Sequence, residues 1–470
     1  MAKSPRRRGS PGARTARGNE VDQDVGLGAP ALGSQQLGSA LTGRYLVLFD
    51  ENDSEPGVRR LESVAGVSLS SSEAAPKRRT ARPHDIVFDA INVGLVTMAP
   101  DQMHEFSVAS LEAESGIVAM EPERILYALS DMRAGVLPDT APLLEGAPGW
   151  TREYLAGYRD GVTSVIDHLL QSEGRQPTLF GESLADFDER AFTWGLQATG
   201  VSNSALTGRG ISVAVLDTGL SLRHPDFAGR VLTAQSFVAG LTPDDRHGHG
   251  THCIGTACGS AKPGQLPRYG VAYGAEIFAG RVLSDQGSGA EGDILNGLNW
   301  AITNGCVVVS MSLGASVSPN QPFNTVFEGA ARRALAKGTL IVAAAGNDSR
   351  RPASTRPVSH PANCPSVMAV GSVSRKGAVS SFSNGGVNPN GGGVDIVGPG
   401  EDILSSYPSP LYRRLNGTSM ATPHVAGIAA LWAEKTGERG QQLWDRLIRS
   451  AKALPGAVSA DVGAGLVQAP

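Results

Sequence analysis

Three short stretches of this 470-residue chain carry side chains that could do chemistry together. Asp217 ends the apolar run Ile211-Ser-Val-Ala-Val-Leu216 and precedes Thr218-Gly219, so a carboxylate stands at the end of a buried strand, where open α/β sheets carry their sites. An Asp before Gly at such a point is also an ordinary turn residue. His247-Gly-His-Gly-Thr-His252 offers three imidazoles between glycines that permit close approach. Two chemistries are open to it: a metal cluster, with His249 and His252 on one helix face, or a single catalytic base at a helix start with the other histidines structural. No Glu follows in HExxH register, which weighs against zinc. Ser419 lies in Asn416-Gly-Thr-Ser-Met-Ala-Thr-Pro-His-Val-Ala-Gly427, entering a helix that continues to Trp432. Gly417 and Ala421 leave room around its hydroxyl, Pro423 suits a first turn, and the helix dipole there favours developing negative charge. Taken alone, the same serine is an N-cap.

Elements must bring these stretches together. From about Phe192 to Pro470, strand-like runs (Ile211 to Leu216, Ile277 to Val282, Val307 to Met311, Leu340 to Ala344, Val367 to Val370) alternate with helical stretches, which predicts a doubly wound, mostly parallel α/β sheet over residues 191–470. Before it, residues 44–129 read as a small α+β unit of the β-α-β-β-α-β kind. Its expected elements are a buried strand at Tyr45 to Phe49, a helix over Pro56 to Val67, one or two strands in Ile86 to Met98, a helix over Pro100 to Ala113 and a strand at Gly116 to Met120. Residues 130–190 read as a linker with an amphipathic helix, its apolar face formed by Tyr154, Leu155, Tyr158, Val162, Val165, Ile166, Leu169 and Leu170. Residues 1–43 are too rich in Gly, Ser and Arg to offset their ordering entropy and read as a disordered tail.

Composition narrows the classes. With 41 basic and 45 acidic residues the formal charge is −4, too near zero for a nucleic-acid or membrane-surface protein. Four cysteines without CxxC spacing read as free thiols, and 59 glycines, nearly twice the roughly 7% norm, promise many tight turns. No run approaches 18 apolar residues and no apolar h-region follows Arg6, Arg7 and Arg8. The expectation is therefore no membrane span and no secretory signal, a cytoplasmic location by default, and export by a non-classical route as the alternative.

Asp-Thr-Gly at Asp217, His-Gly-Thr-His at His249 and Gly-Thr-Ser-Met-Ala-Thr-Pro at Ser419, in that order, resemble the subtilisin family of serine proteases from Trp194 onward. The resemblance implies that His249 takes the proton of Ser419 as general base and that Asp217 orients the imidazole, leaving His252 and His424 structural. It implies an oxyanion hole from the Asn347 side chain, in Ala343-Ala-Ala-Gly-Asn347, and the Ser419 backbone N–H. Gly287, Ser288 and Gly289 on one side and Ser312, Leu313 and Gly314 on the other resemble the edge segments that bind an extended substrate. Ser312, Leu313 and Gly314 with Ala344, Ala345 and Gly346 imply a roomy, mainly apolar pocket for the residue before the scissile bond, with Asp348 at its rim either a solvated turn acid or a mild attraction for basic residues. His-Gly-Thr-His-Cys is similar to the proteinase K-like branch, which would set the Cys253 thiol beside the catalytic imidazole and expose the enzyme to mercurials; a small buried hydrophobe is the plainer reading. No cofactor is implied for the chemistry. A structural calcium is left open, with Asp226 in the matching ligand position, although Gly259 to Gly270 lacks the expected Asn-rich pattern.

Residues 44–129 resemble the propeptide domain of secreted subtilisins, an intramolecular inhibitor whose last strand lies in the active site. This implies that Met120 to Leu129 fills the cleft, that Leu129 enters the apolar pocket and that the chain cuts itself at or near Leu129-Ser130. The function expected is that of a self-inhibited serine endopeptidase acting on extended protein and peptide substrates. Alternatives are a catalytically latent binder or scaffold that keeps the fold, and an esterase using the same machinery.

Overall fold

The computed structural model describes residues 41–51, 54–66, 68–71, 85–98, 116–129 and 187–470. Tyr45 to Phe49 is apolar without a break because both faces of its strand are covered. This strand, β1 (Leu41–Phe49), turns Val47 and Phe49 toward Leu61 of helix α1 (Glu55–Ala65) and turns Leu46 and Leu48 the other way. It begins at Leu41, three residues inside the segment expected to be a tail. The short β2 (Ser70–Ser71) follows, and Ile86 to Met98 resolves into two strands, β3 (Ile86–Phe88) and β4 (Val93–Thr97), joined through Asn92 at φ 47°. The strand expected at Gly116 to Met120 runs on as β5 (Ile117–Ala128), a single strand of 12 residues. Pairing in the order β5-β1-β4-β3 sets β1 between β5 and β4, the ferredoxin-like arrangement. The helix expected over Pro100 to Ala113 and the amphipathic helix of the 130–190 linker lie outside the described residues.

After helix α2 (Trp194–Ala198), the chain builds the expected parallel sheet from β6 (Ser212–Asp217), β7 (Leu232–Ser236), β8 (Glu276–Arg281), β10 (Val308–Met311), β12 (Leu340–Ala344), β13 (Met368–Val373) and β14 (Ile396–Pro399). Its order is β14-β13-β12-β10-β6-β8-β7 and every pair is parallel. Period-two alternation sends Val213 and Val215 to one face, under helices α3 (His249–Cys258) and α6 (Thr418–Thr436), and Ala214 and Leu216 to the other, under α4 (Glu291–Thr303) and α5 (Thr325–Ala336). Two short edges, β9 (Ser288–Ala290) and β11 (Leu313–Gly314), stand apart from this sheet, and a hairpin, β15 (Ile403–Ser406) with β16 (Tyr412–Leu415), precedes α6. Helices α7 (Gly440–Ser450) and α8 (Ser459–Val462) close the chain. Among the described residues no helix is long and apolar enough to cross a membrane.

The amino-terminal sheet sits on α4 and α5. Leu46, Leu48, Phe88, Leu95 and Leu126 share a core cluster with Leu295, Leu298, Phe327 and Ala330, and a fully buried side chain of this size contributes roughly 1.5–3 kcal/mol. Arg333 of α5 donates to Phe49 O at 2.6 Å and Ile91 O at 2.8 Å, satisfying two carbonyls that docking removes from water. Helix starts are met in the same way: Glu123 accepts from Gly292 N at 2.9 Å, while Arg44 grips the same carboxylate at 2.7 Å.

Candidate active site

Strand β6 delivers Asp217 to the carboxyl edge of the sheet, between β8 and β10, where the chain changes direction of growth. His249 opens α3 opposite it. A Cβ on Gly250 would sit 2.3 Å from the Gly219 carbonyl oxygen, so only glycine lets the helix close on the strand end. His249 Nδ1 then lies 2.8 Å from Asp217 Oδ1 and 3.0 Å from Oδ2. Asp217 also accepts from Thr218 N at 2.7 Å. Both members are buried. Burial, the largest single influence, opposes the charged imidazole, but the Asp217 carboxylate and the neighbouring Cys253 together hold His249 well above the ordinary histidine value. Nδ1 is committed to Asp217, which leaves the lone pair on Nε2.

Ser419 stands in the first turn of α6, fully buried. Its Oγ–H donates to the Leu129 carbonyl oxygen and lies 3.1 Å from Ser312 O, while His249 Nε2 has no hydrogen-bond partner among the described residues. Pro423, expected in the first turn, falls in the second. Without an N–H it leaves the Ser419 carbonyl free, and that oxygen accepts from Ser312 Oγ at 2.9 Å and from Cys253 Sγ at 3.5 Å. Cys253 Sγ is 3.9 Å from His249 Nδ1, and burial pushes its thiol up. Asp217, His249 and Cys253 thus converge, whereas His252 turns away to Ile403 O (3.0 Å) and Arg413 O (3.1 Å), and burial lowers it to about 3. His424 donates to Met420 O at 2.8 Å and is lowered by burial to about 4. A two-histidine metal face is therefore not formed.

Asn347 Nδ2 donates to Leu129 O at 2.6 Å. Its amide is turned that way because Oδ1 accepts from both Thr418 N and Thr418 Oγ1 at 2.9 Å. The Leu129 carbonyl therefore rests between Asn347 and Ser419. Strand β5 reaches this point between the two edges: Ile125, Leu126 and Tyr127 pair with Ala290, Gly289 and Ser288 of β9, and Tyr127 and Ala128 pair with Gly314 and Leu313 of β11. Ala128 N donates to Gly287 O at 2.8 Å and Leu129 N to Ser312 O at 3.1 Å. The Leu129 side chain comes against Gly314, and Ala344, Ala345 and Gly346 carry the buried backbone on to Asn347. Asp348 is half-buried, and one of its carboxylate oxygens accepts from Asn384 Nδ2 at 3.1 Å. Ser130 lies outside the described residues.

Asp226 does not fit a calcium ion. One of its oxygens accepts from Tyr269 O–H and the other from Tyr412 O–H at 3.2 Å, so hydroxyl donors hold the carboxylate where a cation would need six to eight acceptor oxygens. Burial and this carboxylate raise both phenols, Tyr412 to about 12.

Sequence reasoning missed Thr418, the aligner of Asn347, and Asp245. Asp245 accepts from His247 N, Gly248 N and Thr251 N at 2.9 Å each and so shapes the turn that presents His249. Its only signal was an acid ahead of a helix start, a pattern shared with many caps.

Fold and site together define a domain of the α/β serine-hydrolase class. The sequence pattern of the subtilase family matches residues 208–465. The chain is 43% identical to M-protease of Shouchella clausii (strain KSM-K16) over 246 residues, 52% of this chain and 60% of that protein. It is equally identical to Subtilisin Savinase of Lederbergia lenta over 246 residues, covering 84% of it, and 40% identical to Thermitase of Thermoactinomyces vulgaris over 229 residues, 48% of this chain and 76% of that protein. The solved structure of Sphericase superposes with a TM-score of 0.52 at 32% identity, covering 60% of this chain and all of that one. The chain belongs to the subtilase family of serine proteases.

Proposed function

We propose that this chain is a serine endopeptidase made as a self-inhibited zymogen, with Asp217, His249 and Ser419 as its catalytic triad and residues 44–129 as its inhibitor. The observation that carries the reading is the Leu129 carbonyl, which accepts from Asn347 Nδ2 at 2.6 Å and from the Ser419 hydroxyl at the end of a strand paired on both edges. For reaction, the Ser419 hydroxyl swings from its carbonyl acceptors to His249 Nε2. As Oγ bonds to the carbonyl carbon, Nε2 takes the proton, and the imidazolium is stabilised by Asp217. The oxyanion is held by Asn347 Nδ2 and the Ser419 N–H, a first-turn amide without an intrahelical acceptor. Collapse breaks the C–N bond, His249 protonates the leaving amine, and water then releases the acyl group by the same steps in reverse.

For the zymogen, the bond cut first is Leu129-Ser130, and Leu129 beside Gly314 supports a preference for apolar residues before the scissile bond. The test compares wild type with Ser419→Ala: casein hydrolysis, adduct formation with a fluorophosphonate, and intact mass. Casein cleavage, adduct at Ser419 and a new terminus at Ser130 in wild type alone are expected. Both proteins remaining at 48.7 kDa under folding conditions would remove self-processing, and folded wild type that never labels would favour the latent scaffold.

A further inference from the structure

The backbone ladder between β5 and β9 ends at Ile125 and Ala290, because the next residue, Glu291, already turns into α4. The pairing of β5 does not stop there. Arg124 N–H, the next amide back along the strand, donates to Glu291 Oε2 at 2.8 Å. Glu291 is fully buried. Its other oxygen lies 2.7 Å from Nε2 of His360, a close contact without hydrogen-bond alignment. His360 is itself pinned: its backbone exchanges hydrogen bonds with Ala315 at 2.8 and 2.9 Å, and its ring stands edge-on to Phe327 with centroids 5.1 Å apart. The side chain of Glu291 is thus fixed as an acceptor in line with the edge strand, its charge facing the α4 N-terminus and His360.

Counted from Leu129, Arg124 is the sixth residue before the bond proposed to be cut. We infer that Glu291, positioned by His360, is a binding site for the main-chain N–H of the sixth residue of an extended substrate. This rests on the reading of β5 as occupant of the substrate track. Recognition at this site is of the backbone, so it selects for substrate length and against proline, whichever side chain stands there. A carboxylate acceptor gives a stronger bond than a neutral one, and the interaction adds binding without touching the reacting atoms.

The experiment uses the self-processed enzyme and acetylated fluorogenic peptides ending in Leu-Tyr-Ala-Leu, extended to five residues with Ile and to six with Arg, alongside a six-residue analogue in which an ester oxygen replaces the Arg N–H. On wild type, kcat/KM should rise about tenfold from five to six residues, mainly through KM, and the ester should lose that gain. Proline in the sixth position should lose it as well. In Glu291→Ala the six-to-five ratio should fall to near one, Glu291→Gln should keep part of it, and His360→Gln should reduce it. Equal kcat/KM for amide and ester on wild type would overturn the assignment even if no variant folds, and so would an undiminished ratio in Glu291→Ala. Cleavage of the four-residue peptide that depends on Ser419 is the separate check on the protease reading. Its absence would sink that reading, whereas its presence without a length step would remove only the role of Glu291.

Discussion

At the scale of single residues, the site is governed by which hydrogen bond each group has left to make. Asn347 spends Oδ1 on Thr418, so only Nδ2 faces the Leu129 carbonyl. Asn347→Ala should lower kcat by about 10² to 10³ with little change in KM, the loss known for one oxyanion donor in a subtilisin, as measured by steady-state hydrolysis of a short peptide. His249 must be neutral to accept a proton, and Asp217 holds its folded pKa above the ordinary value, so it remains charged, and inactive as a base, to a higher pH than a free histidine. Activity is therefore expected to rise with pH through a midpoint above 6.5, and Asp217→Asn should move that midpoint down while cutting the rate. A pH profile of kcat/KM on both proteins gives the answer; a midpoint at or below 6.5 in wild type would contradict the assigned coupling.

Elements set how firmly the amino-terminal unit is held. Gly329 of α5 is where Leu48 of β1 meets the helix, and a Cβ there would come within 2.5 Å of Leu48 Cδ2. A Gly329→Leu change overfills this contact, at a cost of roughly 1–3 kcal/mol, without touching the active site. Residues 1–129 should leave the cut enzyme about tenfold faster, followed by mass spectrometry and the appearance of casein hydrolysis; unchanged release would mean that the contact contributes nothing to docking. A second prediction concerns the sheet. Burial raises Asp395 to about 7, so the folded state holds its proton more tightly than the unfolded state does. Stability should thus fall as pH climbs from about 4 to about 7 and be level beyond, a loss on the order of a few kcal/mol. Asp395→Asn keeps an oxygen for the Ala369 N–H, bonded at 2.7 Å, and should abolish the fall. Melting curves on the Ser419→Ala background, which cannot digest itself, would show the two proteins diverging across that window or refute the effect.

For the molecule as a whole, stability and the proposed self-inhibition both depend on one part of the chain covering another. Strand β5 is continuous with a sheet that buries Leu46, Leu48, Phe88 and Leu95 against α4 and α5, so the segment ending at Leu129 is anchored far from Asn347 and Ser419. At Asp226, hydroxyl donors of Tyr269 and Tyr412 hold both carboxylate oxygens. The Asp226→Asn protein should therefore be less stable than its parent, by about 1–3 kcal/mol for the lost charged acceptor, yet show the same response of Tm to added calcium. A calcium response lost with Asp226 would restore the ion.

Much of this was legible from residue types alone. Unbroken and alternating apolar runs set the parallel sheet, whereas the three motifs around Asp217, His249 and Ser419, each open to a plainer reading alone, took their chemistry from the resemblance of all three, in that order, to the subtilisin family. What the sequence could not show was every relation between distant residues. Thr418 aligning Asn347, Tyr269 and Tyr412 closing on Asp226, and Glu291 reaching Arg124 each depend on side chains that carry no local pattern. Periodicity records which face of an element is buried, but not which partner covers it. That choice is made only when the sheet order and helix packing bring residues more than a hundred positions apart, such as Arg124 and Glu291, within hydrogen-bond distance.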